Sequence, residues 1–313
     1  MKELYSRMKG SLNLKRQYVQ FSILSLLYFV LYTLFSVVLG AIVHDAATII
    51  GFWILNLIST YVYMRFFFRM AAGMAKQGML PVACVYSSFL QRGFDMLIHD
   101  VALLYLHVVF GVDRAGLVGE DGETHHGVFD IAYLGAVPGM TVWCPASLRE
   151  AADMLHQALY GETGPVALRY PRGGEGEYTD GGADAFKVLR EGTDITIAAY
   201  GTMINEAAKA AESLAAEGVS AKVVKLGRVL PLDAEPVLAA AKATGRLVVA
   251  EEVCASGCIG GRILASAGGE AGFKCRLLNL GESIVGQGGT DKLRSLAGID
   301  AAGIAAAAKE LMA

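Results

Sequence analysis

No Gly-x-Gly-x-x-Gly stands between a strand and a helix in this sequence, and there is no P-loop, so neither nucleotide-cradling fingerprint is present. Charge is sparse, at 18% Asp, Glu, Lys and Arg. No basic stripe with interleaved aromatics appears, which argues against a nucleic-acid surface. The five cysteines are scattered and odd in number, which reads as reduced structural thiols rather than a disulfide framework. Cys254 and Cys258 lie four apart, weak evidence for metal or redox work. The adjacent His125 and His126 have no Cys or His partner at zinc-like spacing, so no metal site is expected there.

The 313 residues suffice for two domains with their own cores. Their hydrophobic excess, 54% with a mean hydropathy of +0.44, is local. Residues 19–43 (VQFSILSLLYFVLYTLFSVVLGAIV) carry no charge and are long enough to span a bilayer. A second apolar run, residues 46–64, follows after only His44 and Asp45. Lys2, Arg7, Lys9, Lys15 and Arg16 precede the first run, against Glu3, and Arg65 and Arg69 follow the second. Positive charge at both outer ends predicts a transmembrane hairpin with both termini cytoplasmic. The lipid contact is expected over residues 19–68; a buried helical pair in a cytoplasmic protein is the alternative.

The most chemically loaded stretch is DRAGLVGEDGETHHGVFD, residues 113–130. It follows the apolar run LLYLHVVFGV, a buried-strand pattern. It gathers carboxylates and imidazoles at the strand's carboxyl end, where open α/β sheets place ligands. A solvated surface loop would carry similar polarity.

Strand and helix patterns alternate through the rest of the chain. Strands are expected at residues 79–85, 107–112, 141–143 and 166–170, with helices at 70–77, 89–105 and 148–160. The last of these opens on Ser147 with Glu150 in capping-box spacing. The helix 89–105 is read with Phe89, Phe94, Leu97, Ile98 and Val101 as its apolar face. Residues 173–183 (GGEGEYTDGGA) read as a linker. Beyond it, strands at 194–199, 219–226, 246–251 and 277–280 alternate with helices at 202–216, 234–244 and 301–312. Such alternation predicts α/β architecture with parallel, doubly wound sheets.

The loop 113–130, with YSSFLQR upstream and GPVALRYPRG downstream, resembles 1-deoxy-D-xylulose-5-phosphate synthases, transketolase-like enzymes dependent on thiamine diphosphate. The resemblance runs from about Ala71 to the C-terminus. It implies three regions: an unmatched 1–70, a pyrimidine-binding-type transketolase domain at 71–175, and a transketolase C-terminal-type domain at 184–313. It implies pyruvate and glyceraldehyde 3-phosphate as substrates, thiamine diphosphate and Mg2+ as cofactors, and a role in isoprenoid-precursor, thiamine and pyridoxal biosynthesis. By position, Phe89 is the implied cofactor platform, and Tyr86, Asp121 and His125 are the implied catalytic residues. Arg92 and Arg172 are the implied phosphate ligands. Read without the resemblance, Tyr86 and Phe89 are equally core aromatics and the two arginines surface cations.

Two departures accompany the resemblance. The family's Glu-Gln-His falls on Met64-Arg65-Phe66, and no Gly-Asp-Gly for magnesium and diphosphate occurs in these 313 residues. The expectation is therefore a partial enzyme, inactive alone, working as a homodimer or with a complementary chain that carries the diphosphate-binding domain. A membrane-anchored, catalytically dead scaffold or a rearranged gene product is the alternative.

Overall fold

The computed structural model describes residues 64–268 and 272–313. Apart from residues 64–68, the expected hairpin lies outside the described residues. Among the described residues no helix is long and apolar enough to cross a membrane. All of them belong to one compact unit, Tyr63–Ala313.

That unit opens with a helix over residues 64–76, α1. Met64 is 6% exposed and Phe68 fully buried, and both share a core cluster with Leu90 and Leu97. The end of the second apolar run is thus core of the α/β unit. Assigning residues 64–68 to lipid was incorrect, because their apolar face packs against protein. Phe68 tilts against Phe110 with ring centroids 5.6 Å apart.

Five strands form the first sheet in the order β1 (Val82–Tyr86), β2 (Val108–Asp113), β4 (Pro165–Arg169), β3 (Thr141–Trp143) and β8 (Arg228–Leu230). The second runs β10 (Lys274–Leu278), β9 (Arg246–Ala250), β6 (Ile195–Tyr200), β7 (Ala221–Leu226) and β5 (Phe186–Arg190). The expectation of parallel sheets holds for the inner pairings but not for one edge of each sheet. Strand β5 pairs antiparallel to β7, and β8 antiparallel to β3. Only Gly227 separates β7 from β8, which lie in different sheets. The chain therefore leaves the second sheet at Leu226 and caps the edge of the first, where Cys144 N–H donates to Gly227 O at 2.8 Å. One core cluster consequently runs through both sheets, from Phe110 and Ala167 to Val224 and Val249.

The helices follow from the apolar periodicity. Between β1 and β2, four short helical pieces run end to end: Ser87–Leu90, Gln91–Gly93, Phe94–Met96 and Leu97–Ala102. Together they form α2, less regular than its periodicity predicts and followed by exposed Leu103, Leu104 and Tyr105. Next come α3 (Asp130–Leu134) and α4 (Leu148–Tyr160), the latter capped as its sequence predicts. Ser147 Oγ accepts from Glu150 N–H at 3.0 Å as the capping box predicts, while Glu150 Oε2 reaches one residue further back, accepting from Ala146 N–H at 2.9 Å. The second half carries α5 (Met203–Ala216), α6 (Glu235–Thr244), α7 (Ile259–Ala267), α8 (Thr290–Ala297) and α9 (Ala301–Met312).

Candidate functional site

Strands β1, β2 and β4 end side by side, Tyr86 level with Asp113 and Val112 level with Arg169. The segments leaving them share the carboxyl end of the sheet, the ligand end of this architecture. Phe89 stacks on Tyr86 with ring centroids 5.3 Å apart and planes 19° from parallel. His125 meets Phe89 edge-on at 5.5 Å. Assigning Phe89 to the buried face of its helix was incorrect, since it is 40% exposed. Leu97 and Val101 of the expected face do fill the core side, joined by Leu90, leaving Phe89 as an open aromatic surface at the strand ends.

The ionic half of the site centres on Asp121. One of its oxygens, Oδ2, accepts from Arg114 Nε at 2.9 Å and pairs with Arg172 Nε at 3.2 Å. Arg114 also holds Asp113 at 2.6 Å and lays its guanidinium 3.9 Å from the Tyr86 ring centroid. Tyr86, Phe89, Asp121, His125 and Arg172 are thus brought together. Arg92 is exposed one turn beyond Phe89 and makes no ion pair among the described residues.

Arg114 is the residue to which sequence reasoning gave no role. Its only signal was its place in the Asp-Arg pair where β2 ends. Its backbone sits in the left-handed region, φ 59°, which costs a non-glycine residue free energy. The turn is held by Gly116 and Gly127, which exchange two backbone hydrogen bonds at 2.8 Å. A Cβ on Gly127 would stand 2.1 Å from Arg114 O, so only glycine fits there.

Beneath this surface lies a buried charge pair that the sequence did not single out. Asp130 is fully buried and Arg169 is 7% exposed. Asp130 Oδ2 accepts from Arg169 Nε and from Ser87 Oγ, each at 2.9 Å. Tyr133 OH donates to Ser87 O at 2.9 Å, so the backbone that carries Tyr86 and Phe89 is tied down from below. Burial works against the Arg169 charge, but Asp130 above all outweighs it and raises the guanidinium pKa. Nearby Cys144, fully buried, has its thiol pushed up to about 12 by burial, which makes it a poor nucleophile.

In the second half, Glu251 Oε2 accepts from Tyr200 OH at 2.9 Å and Ile259 N–H at 2.8 Å, and Oε1 from Gly260 N–H at 2.7 Å. It anchors the first turn of α7. Burial raises its pKa despite these donors. The folded protein therefore binds this proton more tightly than the unfolded chain, and stability is lost as pH rises through the raised pKa. Glu251→Gln removes that linkage. The parent should gain stability over the variant as pH falls from neutrality toward the ordinary carboxylate pKa, measured by urea unfolding. A difference independent of pH would refute the shift.

Comparison with known proteins is consistent with this geometry. The transketolase pyrimidine-binding domain matches residues 67–174, and the transketolase C-terminal domain matches residues 184–304. This chain belongs to the transketolase family. The 1-deoxy-D-xylulose-5-phosphate synthase of Chlorobium luteolum is 44% identical over 251 residues, 77% of this chain and 39% of that protein. The synthase of Thermomicrobium roseum is 44% identical over 243 residues, 75% of this chain and 38% of that protein. The chain thus spans about two fifths of the length of these relatives, their C-terminal part. A solved structure described as a split-gene transketolase, an inactive beta4 tetramer, superposes with a TM-score of 0.69 at 28% identity. It covers 78% of this chain and 80% of its own.

The transketolase family implies thiamine diphosphate, and the described residues accommodate one half of it. The open Phe89 ring fits an aromatic heterocycle. The glutamate that the resemblance places against that heterocycle has no counterpart, because Met64 at its position is a buried thioether. Among the described residues no three His, Cys, Asp or Glu side chains converge on a metal position.

Proposed function

We propose that this chain is the substrate-side part of a 1-deoxy-D-xylulose-5-phosphate synthase-type transferase, inactive alone and dependent on a magnesium- and diphosphate-binding domain supplied in trans. The product would serve isoprenoid-precursor, thiamine and pyridoxal biosynthesis. The observation that carries this reading is the convergence of Tyr86, Phe89, Asp121, His125 and Arg172 at one sheet end. When bound, thiamine diphosphate supplies the carbanion chemistry that joins pyruvate to glyceraldehyde 3-phosphate. The chain's own part is recognition. Arg172, 41% exposed, exchanges Asp121 for the substrate phosphate, whose geometry suits a planar guanidinium fork. Arg92 adds a second cation. His125, beside the aromatic pair, is placed to pass a proton to a substrate carbonyl or hydroxyl.

The split-gene structure supports the dependence on a second chain. The uncharged runs before residue 64 and their flanking cations support membrane anchoring, with the α/β unit on the cytoplasmic side. Met64 favours a second reading, a catalytically dead scaffold.

Arg172→Ala should weaken calorimetric binding of glyceraldehyde 3-phosphate by about 1.5–3 kcal/mol, the worth of a charge-assisted hydrogen bond. Arg190→Ala, on exposed β5, should change it by less than about 0.5 kcal/mol. Equal affinities in both variants and the parent would remove Arg172 from the site.

A further inference from the structure

Loop 113–130 does not stand on the first sheet alone. Glu252, 5% exposed at the end of β9, reaches across to it, and its Oε2 accepts from Leu117 N–H at 3.2 Å. Its other oxygen holds Arg294 Nε of α8 at 2.6 Å, and Arg294 lies 3.9 Å from Glu206 of α5. Gly116 stands where φ is +77°, and a Cβ there would also lie 2.1 Å from Glu252 Oε2. Further along, His126 Nδ1 accepts from Val118 N–H at 3.2 Å. That leaves Nε2–H to donate to Gly286 O, also 3.2 Å away, in the second half. Cys254 N–H donates to Val128 O at 2.9 Å. Asp121 and His125 thus lie between two tethers, one at Leu117 and one at His126 to Val128, and every distal anchor is in the second half.

We infer that Glu252, held by Arg294, is a positioning residue that sets loop 113–130 so that Asp121 and His125 face the substrate. The internal bonds of loop 113–130 are the Gly116–Gly127 pair, single-turn contacts between residues 118 and 125, Val118 N–H to His126 and Arg114 to Asp121, and none of them offers an acceptor to Leu117 N–H. Without the distal acceptor, Leu117 N–H, buried at 2% residue exposure, is left unpaired. The loop then relieves that unpaired donor by opening to water. The second half of the chain thereby acts on the site without contributing a residue to it. The substrate-facing part of this inference rests on the function proposed above.

Hydrogen exchange on the full chain tests the tether without needing any ligand. In Glu252→Ala, exchange over residues 117–126 should accelerate at least about tenfold, while β6 and β9 keep parental rates. Unchanged loop rates, or equal acceleration throughout the unit, would overturn the assignment. Arg294→Ala removes the group that holds Glu252 and should give the same local acceleration; it serves if Glu252→Ala does not fold. Glu252→Gln keeps an oxygen for Leu117 N–H and should restore most of the protection. In parallel, glyceraldehyde 3-phosphate binding should weaken several-fold in Glu252→Ala and recover in Glu252→Gln. Parental affinity with an opened loop would overturn the positioning role. A parent that binds no glyceraldehyde 3-phosphate would refute the proposed function and with it that role, while the exchange rates still decide the tether.

Discussion

Replacing Arg169 by alanine is expected to cost about 3–5 kcal/mol of stability, the penalty for stranding one charge of a buried pair. For a unit of this size that corresponds to roughly 6–20 °C in Tm. The loss comes chiefly from Asp130, which is fully buried and keeps only Ser87 Oγ and its neighbour's backbone N–H at Ile131 as donors. The effect should be strongly non-additive. Asp130→Asn with Arg169→Met removes both charges while keeping acceptor and volume, and should recover most of the lost stability, as buried pairs replaced by apolar groups often do. The site above should feel the single change as well, because Ser87 lies next to Tyr86. Urea unfolding of the two single variants and the double variant decides it. A cost below about 1 kcal/mol for Arg169→Ala would mean that water already reaches the pair.

The second large effect is in catalysis. Supplied with thiamine diphosphate, magnesium, pyruvate and glyceraldehyde 3-phosphate, the parent chain should show no turnover. Adding a separate Gly-Asp-Gly-containing domain should give only slow turnover, because Met64 offers no proton. Met64→Glu with that domain present should then raise turnover by about 10²–10⁴ over the parent mixture, the usual contribution of a positioned acid or base. Residue 64 belongs to a helix packed into the α/β core, so the introduced carboxyl would sit in a fixed, low-dielectric position that raises its pKa. Such a proton donor is what the missing function requires. Turnover by the parent alone would show that neither Met64 nor the absent motif limits it. No turnover with Met64→Glu and the added domain would favour the scaffold reading.

Much of the candidate site was legible because its residues cluster in short motifs. Tyr86, Phe89 and Arg92 lie within YSSFLQR, Asp121 and His125 within one loop, and Arg172 closes GPVALRYPRG. Arg92 apart, their side chains converge because three parallel strands end at one level, a consequence of alternation that periodicity already predicts. Arg114 was not legible as the hub, since Asp-Arg at a strand end gives no hint of a left-handed backbone or of stacking on Tyr86. The antiparallel edges escaped notice for a related reason. The three-residue β8 is too short to show a period, and β5 emerges directly from a polar linker.

The sequence by itself determined the α/β alternation, the helices whose caps and periods are local, such as Leu148–Tyr160 and Ala301–Met312, and which side chains are candidates for the site. Only the tertiary structure decided which charges are paired, which aromatic stays open, and on which side of the expected boundary Met64 lies. Helix period, capping and turn chemistry act within a few residues and can be read from neighbours. Arg169 and Asp130 are 39 positions apart, and Leu117 and Glu252 are 135 apart. Contacts of that separation exist only once strand order has brought distant segments together, and burial then sets how much each is worth.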